Sequence, residues 1–132
     1  MKSFIKLVEL FIFMIITISG SAGSGKSTMA RIMLKKLNAK RVYVGGIRRE
    51  LARSKGMSLE ELNVYGQKHP ETDVDVDKAA AAKARELSLD GSNVIVEGRV
   101  MYHFLPESLK IFLKTDVTVA AKRIFLEMQD EE

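Results

Sequence analysis

The residues best suited to chemistry in this sequence form one short glycine-rich segment. Its members are Gly20, Ser21, Ala22, Gly23, Ser24, Gly25, Lys26, Ser27 and Thr28. Their spacing is that of a phosphate-binding loop, or P-loop: glycine, four residues, glycine, lysine, and then serine or threonine. Glycines let backbone N–H groups turn towards phosphate oxygens, and the amino terminus of a following helix adds partial positive charge. The segment therefore predicts a binding site for a nucleotide triphosphate.

Two side chains of this loop have distinct expected roles. The ammonium group of Lys26 would bridge the β- and γ-phosphates, and the Ser27 hydroxyl would ligate Mg²⁺. The context supports these roles, because a β-branched strand at residues 15–18 precedes the loop and a helical pattern follows it. The alternative is a flexible glycine-serine turn with a solvated lysine. The motif thus predicts ATP and Mg²⁺ as the cofactors.

A carboxylate and several guanidinium groups are further candidates. Glu97 directly follows a predicted buried strand at residues 93–96, where P-loop folds hold Mg²⁺ or its waters. The alternative is a strand-end glutamate that faces water. Arg99 would stand beside the phosphates, where its planar donors suit an oxyanion. Arg48 and Arg49 follow the second predicted strand, and each could equally be a solvated helix residue.

The elements that would position these residues alternate between strands and helices. Strands are predicted at residues 15–18, 41–44, 93–96 and 109–113. Helices are predicted from the P-loop to the cap residue Asn38, at 47–54, from a Ser58–Glu61 capping box to His69, at 73–89, and at 117–128 with Asp116 as cap. Such alternation favours a parallel sheet with right-handed crossovers and helices on both faces, a three-layer α/β fold of the P-loop NTPase type.

Composition and charge limit the classes of protein to which the chain could belong. At 132 residues, with 46% hydrophobic and 29% charged residues, the chain has the size and balance of one globular domain. The absence of cysteine excludes disulfides and zinc–thiolate sites and fits a reducing cytosol. The net charge of +4 comes from scattered basic residues, which does not favour nucleic-acid binding. We expect a cytoplasmic monomer that binds neither nucleic acid nor membrane.

The amino-terminal residues 1–13 fit this scheme least well. Lys2 and Lys6 precede an apolar stretch at residues 10–18 and then small residues, which superficially resembles a secretory signal. Cleavage near Ala22 would destroy the P-loop, and the stretch is too short to span a membrane. We therefore interpret residues 1–13 as an extension, with Met14 as an alternative start, and residues 14–132 as the domain.

Four segments together resemble a known family. They are residues 15–28, 45–52, 56–62 and 94–99. Their arrangement is similar to that of the short, archaeal-type cytidylate kinases, which are P-loop nucleoside monophosphate kinases. The resemblance extends over roughly residues 14–126. It implies phosphorylation of CMP or dCMP by ATP, with a monophosphate-binding lobe at about residues 46–90.

The resemblance also implies roles for single residues. Arg49 and Arg99 would hold the acceptor phosphate and, together with Lys26, form the catalytic group. Arg123 would lie against the ATP base, near the start of a lid. Asp73 and Asp77 match an acidic pattern before the long helix that would help to bind the acceptor, although Asp73 better suits a helix cap.

The sequence departs from the family pattern at several positions. Gly46 stands where aspartate is usual, and Arg48 stands where an apolar residue is common, which affects the expected acceptor geometry. Glu127 replaces an arginine in the region where the lid should begin, so we expect a domain that is incomplete at its carboxyl end. Two alternatives stay open: a kinase of AMP or another small metabolite, and a nucleotide-binding protein without turnover.

Overall fold

The fold is built on a sheet of parallel strands. The computed structural model describes residues 2–3 and 14–130, so most of the predicted extension lies outside the described residues. The strands are β1 (Ile15–Gly20), β2 (Lys40–Tyr43), β3 (Val94–Glu97) and β4 (Leu109–Leu113). In the described part of the chain they form a four-stranded sheet in the order β2-β3-β1-β4, in which every pairing is parallel. The two central strands, β1 and β3, carry the residues predicted to do chemistry at their carboxyl ends.

The helices lie between and after the strands. From Met14 onward they are α1 (Lys26–Leu37), α2 (Val44–Ser54), α3 (Leu59–Lys68), α4 (Glu71–Leu89), α5 (Met101–Phe104) and α6 (Val117–Asp130). Three predicted caps are confirmed. Asn38 ends α1 in the left-handed conformation with φ 47°, the Ser58 hydroxyl accepts the N–H of Glu61, and the Asp116 carboxylate accepts the N–H of Thr118.

Apolar side chains cover the sheet on both faces. Under α1, one cluster contains Ile16, Ile18, Ala30 and Ile95. Under α4 and α5, a larger cluster contains Ile15, Val42, Ala80, Ala81, Ala84, Val94, Val96, Met101 and Leu105. Successive strand residues point to opposite faces, so these continuous apolar runs supply both layers. The predicted three-layer α/β fold is confirmed.

Two predicted helix starts are wrong. We expected Gly45 and Gly46 to end the second strand, but α2 begins at Val44 and includes both. The Tyr43 ring packs on this first turn, and a Cβ on Gly45 would lie 2.7 Å from ring atoms, so the glycine permits the close approach. Asp73 is not a cap, because α4 begins at Glu71.

A helix that spans a bilayer must be both long and apolar. In the part of the chain that the structure describes, no helix is both long enough and apolar enough to cross a bilayer.

Candidate functional site

The P-loop connects β1 to α1 at the carboxyl edge of the sheet. Gly23 and Gly25 have φ angles of 76° and 95°, a region that side chains other than glycine rarely adopt. Because α1 begins at Lys26, the unpaired N–H groups and the partial positive charge of its amino terminus lie at the end of the loop. This geometry fits the predicted phosphate site.

The P-loop is held by residues that come almost a hundred positions later. A Cβ on Gly23 would lie 2.5 Å from the carbonyl oxygen of Ala120, so the loop backbone contacts α6 directly. The Thr115 hydroxyl donates to the Ser24 carbonyl at 3.2 Å. Arg123 Nη1 donates to the Gly23 carbonyl at 3.2 Å. The structure thus places Arg123 on the loop backbone, and its predicted contact with the ATP base stays a prediction.

Lys26 folds back over the P-loop. Its Nζ donates to the Ser21 carbonyl oxygen at 2.7 Å. Burial lowers the pKa of the Lys26 ammonium, the nearby charge of Arg99 lowers that pKa further, and Glu97 opposes both effects. The structure therefore brings Lys26, Arg99 and Glu97 close enough for their charges to interact. Thr28 lies farther along α1 and is exposed.

Glu97 ends β3 with a carboxylate that is almost fully buried, since the residue is 1% exposed. The Ser27 hydroxyl donates to Glu97 Oε1 at 2.5 Å. Arg41 donates to Oε2 through Nε at 3.1 Å and through Nη2 at 2.5 Å. The contact between Ser27 and Glu97 agrees with their predicted common role. The alternative, a glutamate that faces water, is excluded by the burial.

Arg41 and Tyr43 are functional candidates that the sequence analysis missed. In the parallel register of β2 and β3, Arg41 lies opposite Ile95 and Tyr43 lies opposite Glu97. Residues two apart share a face of a strand, so all four side chains lie on the face that α1 covers. The alternation along β2 could have placed Arg41 and Tyr43 on one face. Their neighbour Glu97 follows only from the register, which the sequence does not show.

The Tyr43 ring connects the buried carboxylate to the predicted acceptor arginines. The Arg41 guanidinium lies 4.6 Å from the ring centroid, and the Arg49 guanidinium lies 5.9 Å from it. Arg49 is exposed on α2, and Arg99 is exposed directly after Gly98. Cations near aromatic faces are attracted by the ring quadrupole. Arg41, which holds Glu97, and Arg49 therefore share the Tyr43 ring as a neighbour.

A second polar cluster joins the helices of the predicted acceptor lobe. Arg48 on α2 donates to the Asn63 amide oxygen of α3 through Nε at 3.1 Å and Nη2 at 3.0 Å. It also forms an ion pair with Asp73 of α4. Burial raises the pKa of the Asp77 carboxyl, as does the Asp73 charge, whereas Arg48 lowers it. Arg48, which departs from the family pattern, thus holds α2, α3 and α4 together.

The comparisons with known proteins agree with this site. A family described as an AAA domain matches residues 16–132. The chain belongs to this family. It is also 40% identical over 112 residues to the cytidylate kinase of Pyrococcus abyssi, a match that covers 84% of this chain and 59% of the relative. It is 43% identical over 111 residues to the cytidylate kinase of Methanothrix thermoacetophila, covering 84% and 62% respectively.

The resemblance to cytidylate kinases that the sequence segments indicated is therefore confirmed. The chain spans about three fifths of the length of these curated relatives. Among solved structures, the fold is similar to that of shikimate kinase from Acinetobacter baumannii in complex with shikimate. The TM-score is 0.60 at 19% identity, and the match covers 91% of this chain and 67% of that one. A gluconokinase from Sinorhizobium meliloti 1021 gives a TM-score of 0.54 at 17% identity, covering 89% and 67% respectively.

Proposed function

We propose that this chain transfers the γ-phosphoryl group of ATP to a nucleoside monophosphate, with CMP and dCMP as the preferred acceptors. The observation that carries the proposal is the similarity to cytidylate kinases over 84% of the chain. The P-loop geometry and the buried Glu97 beside Ser27 support it, since both suit a bound triphosphate. The proposal is for a small-molecule kinase that acts in the cytoplasm as a monomer, without nucleic acid.

The proposed mechanism relies on positioning and electrostatics. The loop backbone and the amino terminus of α1 would hold the donor phosphates, and Lys26 would leave the Ser21 carbonyl to contact them. Arg49 and Arg99 would hold the acceptor phosphate, and Arg123 would support the loop and contact the base. Reacting groups held in this way need no covalent enzyme intermediate.

Ser27 and Glu97 fit the divalent cation that such kinases use. Their nearest side-chain oxygens are 2.5 Å apart, and both are the hard donors that Mg²⁺ takes. The described residues contain no cluster of three acidic or histidine side chains, so water and phosphate oxygens would supply the other ligands. When bound, the ion neutralises developing negative charge on the phosphoryl oxygens. Ser27 and Glu97 would orient it at the end of α1.

An acceptor screen tests the proposal. The chain is incubated with ATP and Mg²⁺ and with CMP, dCMP, UMP, AMP or shikimate, and ADP release is followed for each acceptor. We expect the highest kcat/KM with CMP or dCMP. If AMP or the metabolite gives the highest value, the cytidylate assignment is wrong. If calorimetry shows ATP binding but no acceptor yields product, the chain is a nucleotide-binding protein without turnover.

A further inference from the structure

The buried Glu97 carboxylate already has a cationic partner within the protein. The Glu97 side chain is 2% exposed and the Arg41 side chain is 30% exposed, so the carboxylate of this ion pair is shielded from water while the guanidinium is partly open to it. Two Arg41 nitrogens donate to Oε2, while Ser27 donates to Oε1. A buried carboxylate without such a partner would carry a large desolvation cost. Arg41 is therefore the counter-ion of Glu97 in this state.

The same carboxylate belongs to the cation site that the proposed function requires, and the inference rests on that function. A divalent cation that binds beside Ser27 would be attracted to the single negative charge of Glu97. The Arg41 guanidinium is attracted to the same charge. Two positive groups at one carboxylate repel each other, and this repulsion is strong where the dielectric is low. Arg41 contacts Oε2 and Ser27 contacts Oε1, so binding of Mg²⁺ on the Ser27 side would weaken the Arg41 contact through the charge that both cations share.

The structure also provides a place for a displaced guanidinium. The Tyr43 ring centroid lies 4.6 Å from the Arg41 guanidinium and 5.9 Å from the Arg49 guanidinium. A movement of Arg41 away from Glu97 and along this ring would keep the cation–π contact. It would bring the guanidinium towards the side of the site where Arg49 would hold the acceptor phosphate.

We propose that Arg41 is a positioning residue that competes with Mg²⁺ for Glu97, holds the site in order while the metal is absent, and moves towards the acceptor arginines when Mg²⁺–nucleotide binds. Arg41 thereby weakens the affinity for Mg²⁺ and links metal binding to the arrangement of the acceptor side. Arg41 is thus a cation of the chain itself that competes with Mg²⁺ at the metal site.

The test compares Arg41→Met with the control Arg53→Met. Both substitutions remove one guanidinium and keep an apolar stem, but Arg53 is exposed and, among the residues that the structure describes, pairs with the neighbouring exposed Glu50 alone. Mg²⁺ is titrated calorimetrically into each protein saturated with ADP, and thermal unfolding is measured in EDTA and in Mg²⁺. We expect Arg41→Met to bind Mg²⁺ roughly tenfold more tightly and to melt several degrees lower in EDTA. Added Mg²⁺ should restore much of the lost melting temperature, and Arg53→Met should match the parent chain.

A Glu97→Gln background shows whether the effect passes through this carboxylate. There, Arg41→Met should change the Mg²⁺ affinity and the melting temperature in EDTA much less than it does in the parent chain, because the charge that both cations share is gone. Unchanged or weaker Mg²⁺ affinity in Arg41→Met, or equal effects with and without Glu97, would overturn the proposal. The melting measurement in EDTA needs no acceptor, so a failed acceptor screen and a failed competition are distinguishable.

Discussion

The P-loop and the acceptor lobe, formed by α2, α3 and α4, are held together in different ways. The loop is held at its backbone: Gly23 lies directly on the carbonyl of Ala120, and the Arg123 side chain donates to the Gly23 carbonyl. In the lobe, charged side chains join the helices, with Arg48 bound to Asn63 and Asp73. The loop should therefore respond to changes of shape, whereas the lobe should respond to changes of charge and pH.

The largest expected effect follows from removing the one charge that the loop itself supplies. Lys26→Gln should lower phosphoryl transfer by roughly 10²- to 10³-fold or more, because a preorganised donor to developing phosphate charge is lost. The fold should persist, since the Lys26 ammonium makes its hydrogen bond to an exposed stretch of loop. Steady-state kinetics with CMP and circular dichroism measure the two outcomes.

The control for this variant is Lys36→Gln, which removes the same charge from the last turn of α1. Its kinetics should equal those of the parent chain. If Lys26→Gln keeps full turnover, the assignment of the loop to the transferred phosphates is wrong.

The next largest effect is expected from a substitution that disturbs the backbone contact between the P-loop and α6. Gly23→Ala should abolish measurable ATP binding and lower the unfolding free energy by roughly 3 kcal/mol, because the new Cβ meets the Ala120 carbonyl at 2.5 Å in addition to the positive φ. Calorimetry with ATP and denaturant unfolding give the two quantities.

Gly56 supplies a matched control, since its φ is also positive, at 66°, but nothing lies within 4 Å of an added Cβ. Gly56→Ala should cost only the backbone strain, about 1–2 kcal/mol, and leave ATP affinity unchanged. Equal losses in both variants would show that backbone strain, and not the contact with α6, decides the behaviour of the loop.

The smallest expected effect concerns charge in the lobe. The pKa of Asp77 is raised in the folded state, first by burial and then by Asp73, against the opposing charge of Arg48. The folded protein therefore holds this proton more tightly than the unfolded chain does. As a result, the contribution of Asp77 to the free energy of unfolding falls as the pH rises from its ordinary pKa of 3.8 through its folded pKa. Asp77→Asn should consequently raise the melting temperature slightly at neutral pH.

The gain in melting temperature of Asp77→Asn over the parent chain should be constant above the folded pKa and disappear as the pH falls below 3.8. Asp75→Asn removes the same charge from an exposed position on α4 and is the control. Thermal unfolding between pH 3 and pH 8 separates the two variants. A gain that is largest at acidic pH would contradict the assignment.

Local patterns were sufficient to predict most of the fold. The β-branched and apolar runs gave all strands of the described sheet within about two residues, because buried parallel strands have a distinctive composition. Capping residues such as Ser58 fixed helix ends for the same local reason. The predicted start of α2 was wrong because Gly45 and Gly46, which are typical of turns, lie inside this helix, where the nearby Tyr43 ring leaves no room for a Cβ on Gly45.

Residues of the site could be predicted only where they belong to a contiguous motif or follow a predicted strand. Lys26 and Ser27 belong to a contiguous pattern, and Glu97 follows from its place at the end of a strand. Arg41 has no local signal, because its contact with Glu97 spans 56 positions and depends on which strand lies beside β3. The pairing of Arg48 with Asp73 depends in the same way on how α2 and α4 pack. The predicted roles of Arg49, Arg99 and Arg123 stay predictions.

The hydrogen bonds from Thr115 and Arg123 to the P-loop also bear on how the protein is made. They join residues 91 and 100 positions apart, whereas the P-loop motif itself ends at Thr28. Contacts of such long range form late, because a large loop of chain must first be closed. During synthesis on the ribosome, the motif is present long before the segment that supports it has emerged. A nascent chain thus acquires the support of its nucleotide site only after translation has passed Arg123.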